Sequence, residues 1–105
     1  EPELQFGGTV TSTFDPTAKA FRLDQNVPNP FGGVTTIGFY LPEAGDAELS
    51  IHDAYGQLIW KQQKQYSAGE QRYRLDQLAL PAGVYYYTLR SGDYTATRSM
   101  VVVRP

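Results

Sequence analysis

The sequence predicts an all-β domain of the sandwich or barrel type. Turn signals recur at the roughly 8–12-residue spacing expected between short antiparallel strands. They are Pro42-Glu43-Ala44-Gly45, Asp53-Ala54-Tyr55-Gly56, Ser67-Ala68-Gly69, Pro81-Ala82-Gly83 and Ser91-Gly92-Asp93. Between them apolar and polar residues alternate with the period of two that half-buries a strand. No window sustains a helical period, and eight Tyr, five Phe and ten Gly lean toward β structure and turns.

Residues 1–20 lack sustained patterning: Gly7-Gly8, the polar run Thr9-Val10-Thr11-Ser12-Thr13 and Asp15-Pro16-Thr17 read as a linker. The domain is expected over residues 21–105. In Leu23-Asp24-Gln25-Asn26-Val27-Pro28-Asn29-Pro30-Phe31 two X-Pro steps push Val27 and Asn29 into extended conformations and prevent a helix. Gly32-Gly33 then turns the chain. Strand texture follows: Ile37, Phe39 and Leu41 alternate with Thr36, Gly38 and Tyr40, and Ala47, Leu49 and Ile51 alternate with Glu48, Ser50 and His52. Asp53-Ala54-Tyr55-Gly56 suits a tight hairpin, because Asp can bond backbone two residues on and Gly accepts positive φ. Further strands are expected over residues 58–62, over 72–76 with Tyr73 and Leu75 alternating with Arg72, Arg74 and Asp76, over 84–89 with Tyr85, Tyr87 and Leu89 inward, and over 96–103. Alternation leaves the inward register of Leu58-Ile59-Trp60 open.

A chain of 105 residues holds one domain. A net charge of −2 and nine scattered Lys and Arg argue against nucleic acid as a partner. No stretch reaches the roughly 20 apolar residues of a membrane-spanning helix. No secretory leader pattern opens the chain at Glu1, as expected of a fragment, a mature form or a cytosolic protein. The absence of cysteine excludes disulfides, thiol nucleophiles and thiolate metal sites.

Catalytic constellations are missing. His52, the single histidine, lies on the strand face opposite Leu49 and Ile51 and has no polar company for a triad or zinc site. The carboxylates sit mostly in turns, and no Asp-rich loop supports a calcium site at Asp46, Asp53 or Asp93. Gly32-Gly33 lacks the Lys-Ser/Thr of a phosphate loop. No catalytic residue, cofactor or metal is expected. The aromatics Trp60, Tyr66, Tyr73, Tyr85, Tyr86, Tyr87 and Tyr94 suit core and cross-strand packing. A sugar-stacking platform is the rival use, and it makes a carbohydrate-binding or adhesion module the alternative function.

The order of these blocks resembles a known family. Leu23, Gln25, Asn26, Pro28, Asn29, Pro30 and Phe31 are similar to the opening L-x-Q-N-x-P-N-P-F-N of the type A C-terminal sorting domains of the type IX secretion system. Thr35-Thr36-Ile37-Gly38-Phe39 and Leu41-Pro42 follow as in that family. Leu49-Ser50-Ile51-His52-Asp53-Ala54-Tyr55-Gly56 resembles L-x-I-x-D-x-x-G, with Asp53 and Gly56 at the turn. Leu80-Pro81-Ala82-Gly83-Val84-Tyr85-Tyr86-Tyr87-Thr88-Leu89 resembles L-x-x-G-x-Y-x-Y-x-L, placing Gly83, Tyr85 and Tyr87, and Arg98-Ser99-Met100-Val101-Val102-Val103 resembles the basic-then-apolar ending. Gly32 stands where Asn is usual and His52 where Tyr is usual.

The resemblance implies a seven-stranded immunoglobulin-like β-sandwich behind an upstream cargo domain of the same polypeptide, and no enzymatic activity. It implies passage through the periplasm, crossing of the outer membrane at the translocon, and a destination on the cell surface or outside the cell. A cell-surface sortase would cut the linker, within residues 7–20, and the cargo would be anchored or released. The last strand offers a candidate recognition surface, an edge or patch formed by Arg98, Met100, Val101, Val102, Val103 and Arg104, used by strand addition. Met100 and Val102 could instead complete the core, and the Pro28–Phe31 stretch is a second candidate or a rigid strap. A structural spacer of fibronectin type, or the related immunoglobulin-like domain of flagellar hook-capping proteins, is a third functional class.

Overall fold

The computed structural model describes residues 20–76 and 79–104. The linker expected over residues 1–20, with the cleavage region in it, falls outside the described residues apart from Ala20. Seven strands appear among the described residues: β1 (Arg22–Leu23), β2 (Thr35–Leu41), β3 (Gly45–Asp53), β4 (Leu58–Tyr66), β5 (Gly69–Leu75), β6 (Gly83–Ser91) and β7 (Tyr94–Val102). They form a three-stranded sheet, β1-β2-β5, and a four-stranded sheet, β4-β3-β6-β7, with neighbouring strands antiparallel. This is the two-layer, all-β arrangement of an immunoglobulin-like sandwich.

Alternation decides what fills the space between the layers. β2 buries Thr35, Ile37, Phe39 and Leu41 and turns Thr36, Gly38 and Tyr40 outward. From the facing sheet come Ala47, Leu49 and Ile51 of β3, Tyr85, Tyr87 and Leu89 of β6, and Met100 and Val102 of β7. At ~25 cal/mol per Å2 of apolar surface removed from water, each large side chain here contributes on the order of 2 kcal/mol. Trp60 and Tyr73 close the β4–β5 side, their rings 5.6 Å apart, and Tyr66 meets Phe39 edge-on at 5.3 Å. The register of Trp60 follows from a bulge: Ile51 pairs with Trp60 but His52 pairs with Leu58, leaving Ile59 without an opposite residue. Leu58 and Trp60 therefore face opposite sides although they stand two positions apart.

The turns are held by the residues the sequence singles out. Asp53 Oδ1 accepts the amides of Tyr55 and Gln57, both at 2.9 Å, and Gly56 closes the turn at φ 83°. A side chain at Gly56 would be strained at that φ. Before β6, the buried Tyr85 donates its hydroxyl to the Pro81 carbonyl at 2.6 Å. This bond four residues back at the head of a strand is the tyrosine corner of immunoglobulin-like sandwiches. It gives the Leu80-to-Tyr85 block a mechanical meaning, because it fixes how the chain enters the central strand β6. Tyr87 lies deeper, fully buried, and donates to the Asp24 carbonyl at 2.5 Å, joining β6 to the segment that follows β1.

Two substitutions test this frame. Tyr85→Phe should lower stability by about 1–2 kcal/mol, the worth of a partly buried hydrogen bond, as a lower urea midpoint at unchanged slope. The second uses pH. Burial pushes the Tyr87 phenol up to about 12, whereas in the unfolded chain it ionises near pH 10. Its contribution is thus fully present below pH 10 and is lost as pH rises from 10 through 12, by up to ~1.4 kcal/mol per unit. Tyr87→Phe should show a shallower alkaline loss of urea stability than the parent chain.

Candidate functional site

Every strand of a sheet edge carries unpaired backbone groups that must be covered, paired or left to water. The outer edge of β7 is covered, and the segment that covers it is Leu23 to Phe31. Phe31 N–H donates to the Val101 carbonyl at 3.0 Å, and Val103 N–H donates back to the Phe31 carbonyl at 2.9 Å, a parallel bridge. Where proline removes backbone donors, side chains substitute. Asn29 Oδ1 accepts the Val101 amide at 2.9 Å, and Gln25 Nε2 donates to the Ser99 carbonyl at 2.7 Å. Arg98 Nε donates to the Leu23 carbonyl at 2.5 Å, and Phe21 stacks on Tyr94 with centroids 5.0 Å apart.

The same segment is tied to the other sheet. Asp24 N–H donates to the Gly38 carbonyl, and Val27 and Thr36 exchange two backbone bonds, all at 2.9 Å. Asp24 lies close over β2: a Cβ at Gly38 would stand 2.9 Å from Asp24 Oδ2, so a larger residue there would have to displace the Asp24 carboxylate. Between these attachments Asn26 is buried. Its Nδ2 donates to Thr35 Oγ1 and to the Pro28 carbonyl, both at 3.1 Å, while Thr35 Oγ1 donates to the same carbonyl at 2.8 Å. The buried polar pair is thereby satisfied. Val27-Pro28 and Asn29-Pro30 are cis peptide bonds. Phe31 enters the end of the core beside buried Leu80, and Arg104 reaches across that end to the Leu80 carbonyl.

The expected recognition residues thus divide. Met100 and Val102 point into the core and are buried. Arg98 and Arg104 present exposed side chains that also hold backbone carbonyls. Val101 and Val103 face outward, the first half-buried and the second exposed. Over residues 99–103 the edge expected to accept an added strand is occupied by the strap, because proline-spaced Gln25, Asn29 and Phe31 already use its donors and acceptors. Of the motif residues, Leu23, Asn26, Phe31, Tyr85 and Tyr87 are buried, and Pro28 and Pro30 are exposed along the strap.

The other candidate chemistry does not assemble. His52 lies on the outer face of the four-stranded sheet between Leu58 and Tyr86. Asp46 and Asp93 line a groove of about 530 Å3 with Glu43, while Asp53 serves its own turn at the other end of β3. Among the described residues no group of three or more metal-ligating side chains converges. The aromatics scatter: Trp60 and Tyr73 face inward, Tyr40 lies on one outer face, Tyr86 on the other, and Tyr94 is taken by Phe21. A flat sugar platform built from Trp60 and Tyr86 is ruled out by their opposite faces. Among the described residues no helix is long and apolar enough to cross a membrane.

What alternation did not reveal is the outward apolar set Leu58, Val84, Tyr86 and Val101. Its signal was present as consecutive apolar residues in Leu58-Ile59-Trp60 and Val84-Tyr85-Tyr86-Tyr87, where a strand with one wet face would have inserted polar ones.

The strap's grip is measurable. Phe31→Ala should cost about 3–5 kcal/mol as a buried aromatic truncation, and Asn29→Ala about 0.5–1.5 kcal/mol as a lost exposed hydrogen bond. In hydrogen exchange the Val101 amide should lose protection in both variants, and the Val103 amide mainly in Phe31→Ala.

No curated protein matches the sequence. The family model described as "Secretion system C-terminal sorting domain" matches residues 27–103, a span that runs from the middle of the strap through strands β2 to β7 to Val103. This family is one of delivery signals and not of enzymes. The chain belongs to the C-terminal sorting domain family of the type IX secretion system.

Proposed function

We propose that this domain directs an upstream cargo of the same polypeptide through the outer-membrane translocon of the type IX system, from the periplasm to the cell surface or the medium. A cell-surface sortase then cuts within residues 7–20, and the cargo is anchored or released. The observation that carries the reading is the family match over residues 27–103. The fold supports it, because the motif residues on either side of the turns build one folded unit. Contact with the translocon draws on side chains around the last strand, the half-buried Val101 and the exposed Val103, Arg98 and Arg104. Met100 and Val102 act beneath them by holding β7 on the core.

A fluorescent protein carrying a secretion signal, fused ahead of this chain, tests the reading in a host that possesses the system. The expected result is reporter on the surface or in the medium of the competent strain only, with processing mapped to residues 7–20. Reporter retained in the periplasm of both the competent and the translocon-deficient strain overturns it. Deleting residues 101–105 should abolish export together with cooperative unfolding, since it removes the Phe31 ladder and Val102 at once.

A further inference from the structure

The place where the chain enters the sandwich limits where the segment before it can be cut. Arg22 pairs with Tyr40 and Leu23 with Phe39, so the same register carried back sets Ala20 beside Pro42. Phe21 stacks on Tyr94, centroids 5.0 Å apart and rings within 12° of parallel, and packs against the core. Ala20 is therefore fixed at the groove between the β2–β3 turn, Pro42 to Asp46, and the β6–β7 turn, Ser91 to Tyr94. Glu43, Ala44, Gly92 and Asp93 stand exposed on those turns. Phe31, Val103 and Arg104 lie at the far end of the sandwich, beyond the nine residues of β7 at about 3.3 Å each. The body that an enzyme acting on the linker must clear is thus the pair of turns at the entrance.

A protease holds its substrate extended, by backbone bonds of the kind that add a strand to a sheet edge. The grip needs N–H and C=O groups on both sides of the bond to be cut, and room for the walls of the cleft. Thr17 to Ala20 offers too little room, because four residues span at most about 14 Å from the turns. Asp15-Pro16 fails for a chemical reason. Pro16 has no N–H and holds φ at about −65°, and the residue before a proline is restricted as well. Upstream these obstacles end. Gly7-Gly8 has no side chains for a narrow cleft to exclude, and Thr9-Val10-Thr11-Ser12-Thr13 is rich in the β-branched residues that favour an extended backbone.

Resting on the proposed cleavage, we infer that the sandwich sets a minimum stub: the cut falls between Gly7 and Phe14, and Asp15 to Ala20 stays on the domain as a spacer whose length is what counts. One peptide C–N bond in that stretch breaks. On release, water gives its hydroxyl to the acyl carbon, which becomes the carboxyl terminus of the cargo. The remaining proton goes to the nitrogen, which becomes the amino terminus of the domain.

Two experiments test it. From the reporter fusion in the competent strain, the domain should be recovered with an amino terminus, read by intact mass, at one of residues 8–14. Deleting residues 15–19 should slow processing by about tenfold or more, as misplacing a reacting bond does. Replacing them by an equal length of alternating serine and glycine should restore it, with the urea midpoint unchanged in both variants. The purified chain, digested briefly with subtilisin, should be nicked first within the same stretch. An amino terminus within residues 15–20, or parental processing without residues 15–19, overturns the inference and leaves the sorting reading standing. So does an equal-length replacement that fails to restore processing, which would make the sequence of the spacer decisive and not its length. Export of an uncut fusion overturns it together with the proposed cleavage, and leaves export itself standing. Failure of the parent fusion to be exported overturns the sorting reading as well.

Discussion

The exchange of two backbone hydrogen bonds between Phe31 and β7 is the contact on which the rest of the structure depends. It sits where the two sheets would otherwise part, with β1 and β2 on one side and β7 on the other. A sandwich of this size has little core to spare, so a seam left open would cost both burial and paired edge groups. The strap closes it with mixed means. Backbone bonds at Val27 and Phe31 reach opposite sheets, Asn26 and Thr35 satisfy each other beneath, and Phe31 fills the end of the core. Gln25 and Asn29 supply through side chains what a segment with two prolines cannot supply through its backbone.

Seen from that seam, the other motif residues do related work. Tyr87 reaches from the central strand to the carbonyl of Asp24, so the strap is fastened to β6 as well as to β2 and β7. Tyr85 fixes the chain before β6 by bonding Pro81, and Arg104 binds the carbonyl of the neighbouring Leu80. The four blocks that look separate in the sequence converge on one end of the sandwich and on the line where its layers meet. Their spacing is set by strand lengths and turns, and their residue types by specific carbonyls and amides.

Period-two alternation made much of this legible. It placed Ile37, Phe39, Leu41, Ala47, Leu49, Ile51, Tyr85, Tyr87 and Leu89 inward, where the structure has them buried. The Asp53-to-Gly56 turn was legible because a short acidic side chain and a positive-φ glycine have few other uses together. The register of Trp60 was not legible, since the bulge at Ile59 adds one residue and reverses the face of everything beyond it. Nor was the occupied edge of β7. Gln25 and Ser99 are 74 positions apart, and nothing local in either segment says that they meet. The two extra residues at the start of β7, Tyr94 and Thr95, belong to a two-residue hairpin that pairs Ser91 with Tyr94, and pairing across a turn is a property of both strands.

The closed edge bears on what a translocon can read. A linear peptide signal would show its side chains in sequence, but here Met100 and Val102 are hidden between layers while Val101 and Val103 look outward. A partner at this end therefore meets alternate residues of the last strand together with side chains from β4 and β6 that lie far off in the sequence. Such a surface exists only when the strap is seated and the sheet is formed. The buried residues of the motif thus specify the fold. Phe31, Tyr85 and Tyr87 are bound to the geometry of the sandwich by burial and hydrogen bonds, whereas Leu58, Val84 and Tyr86 are exposed on its surface.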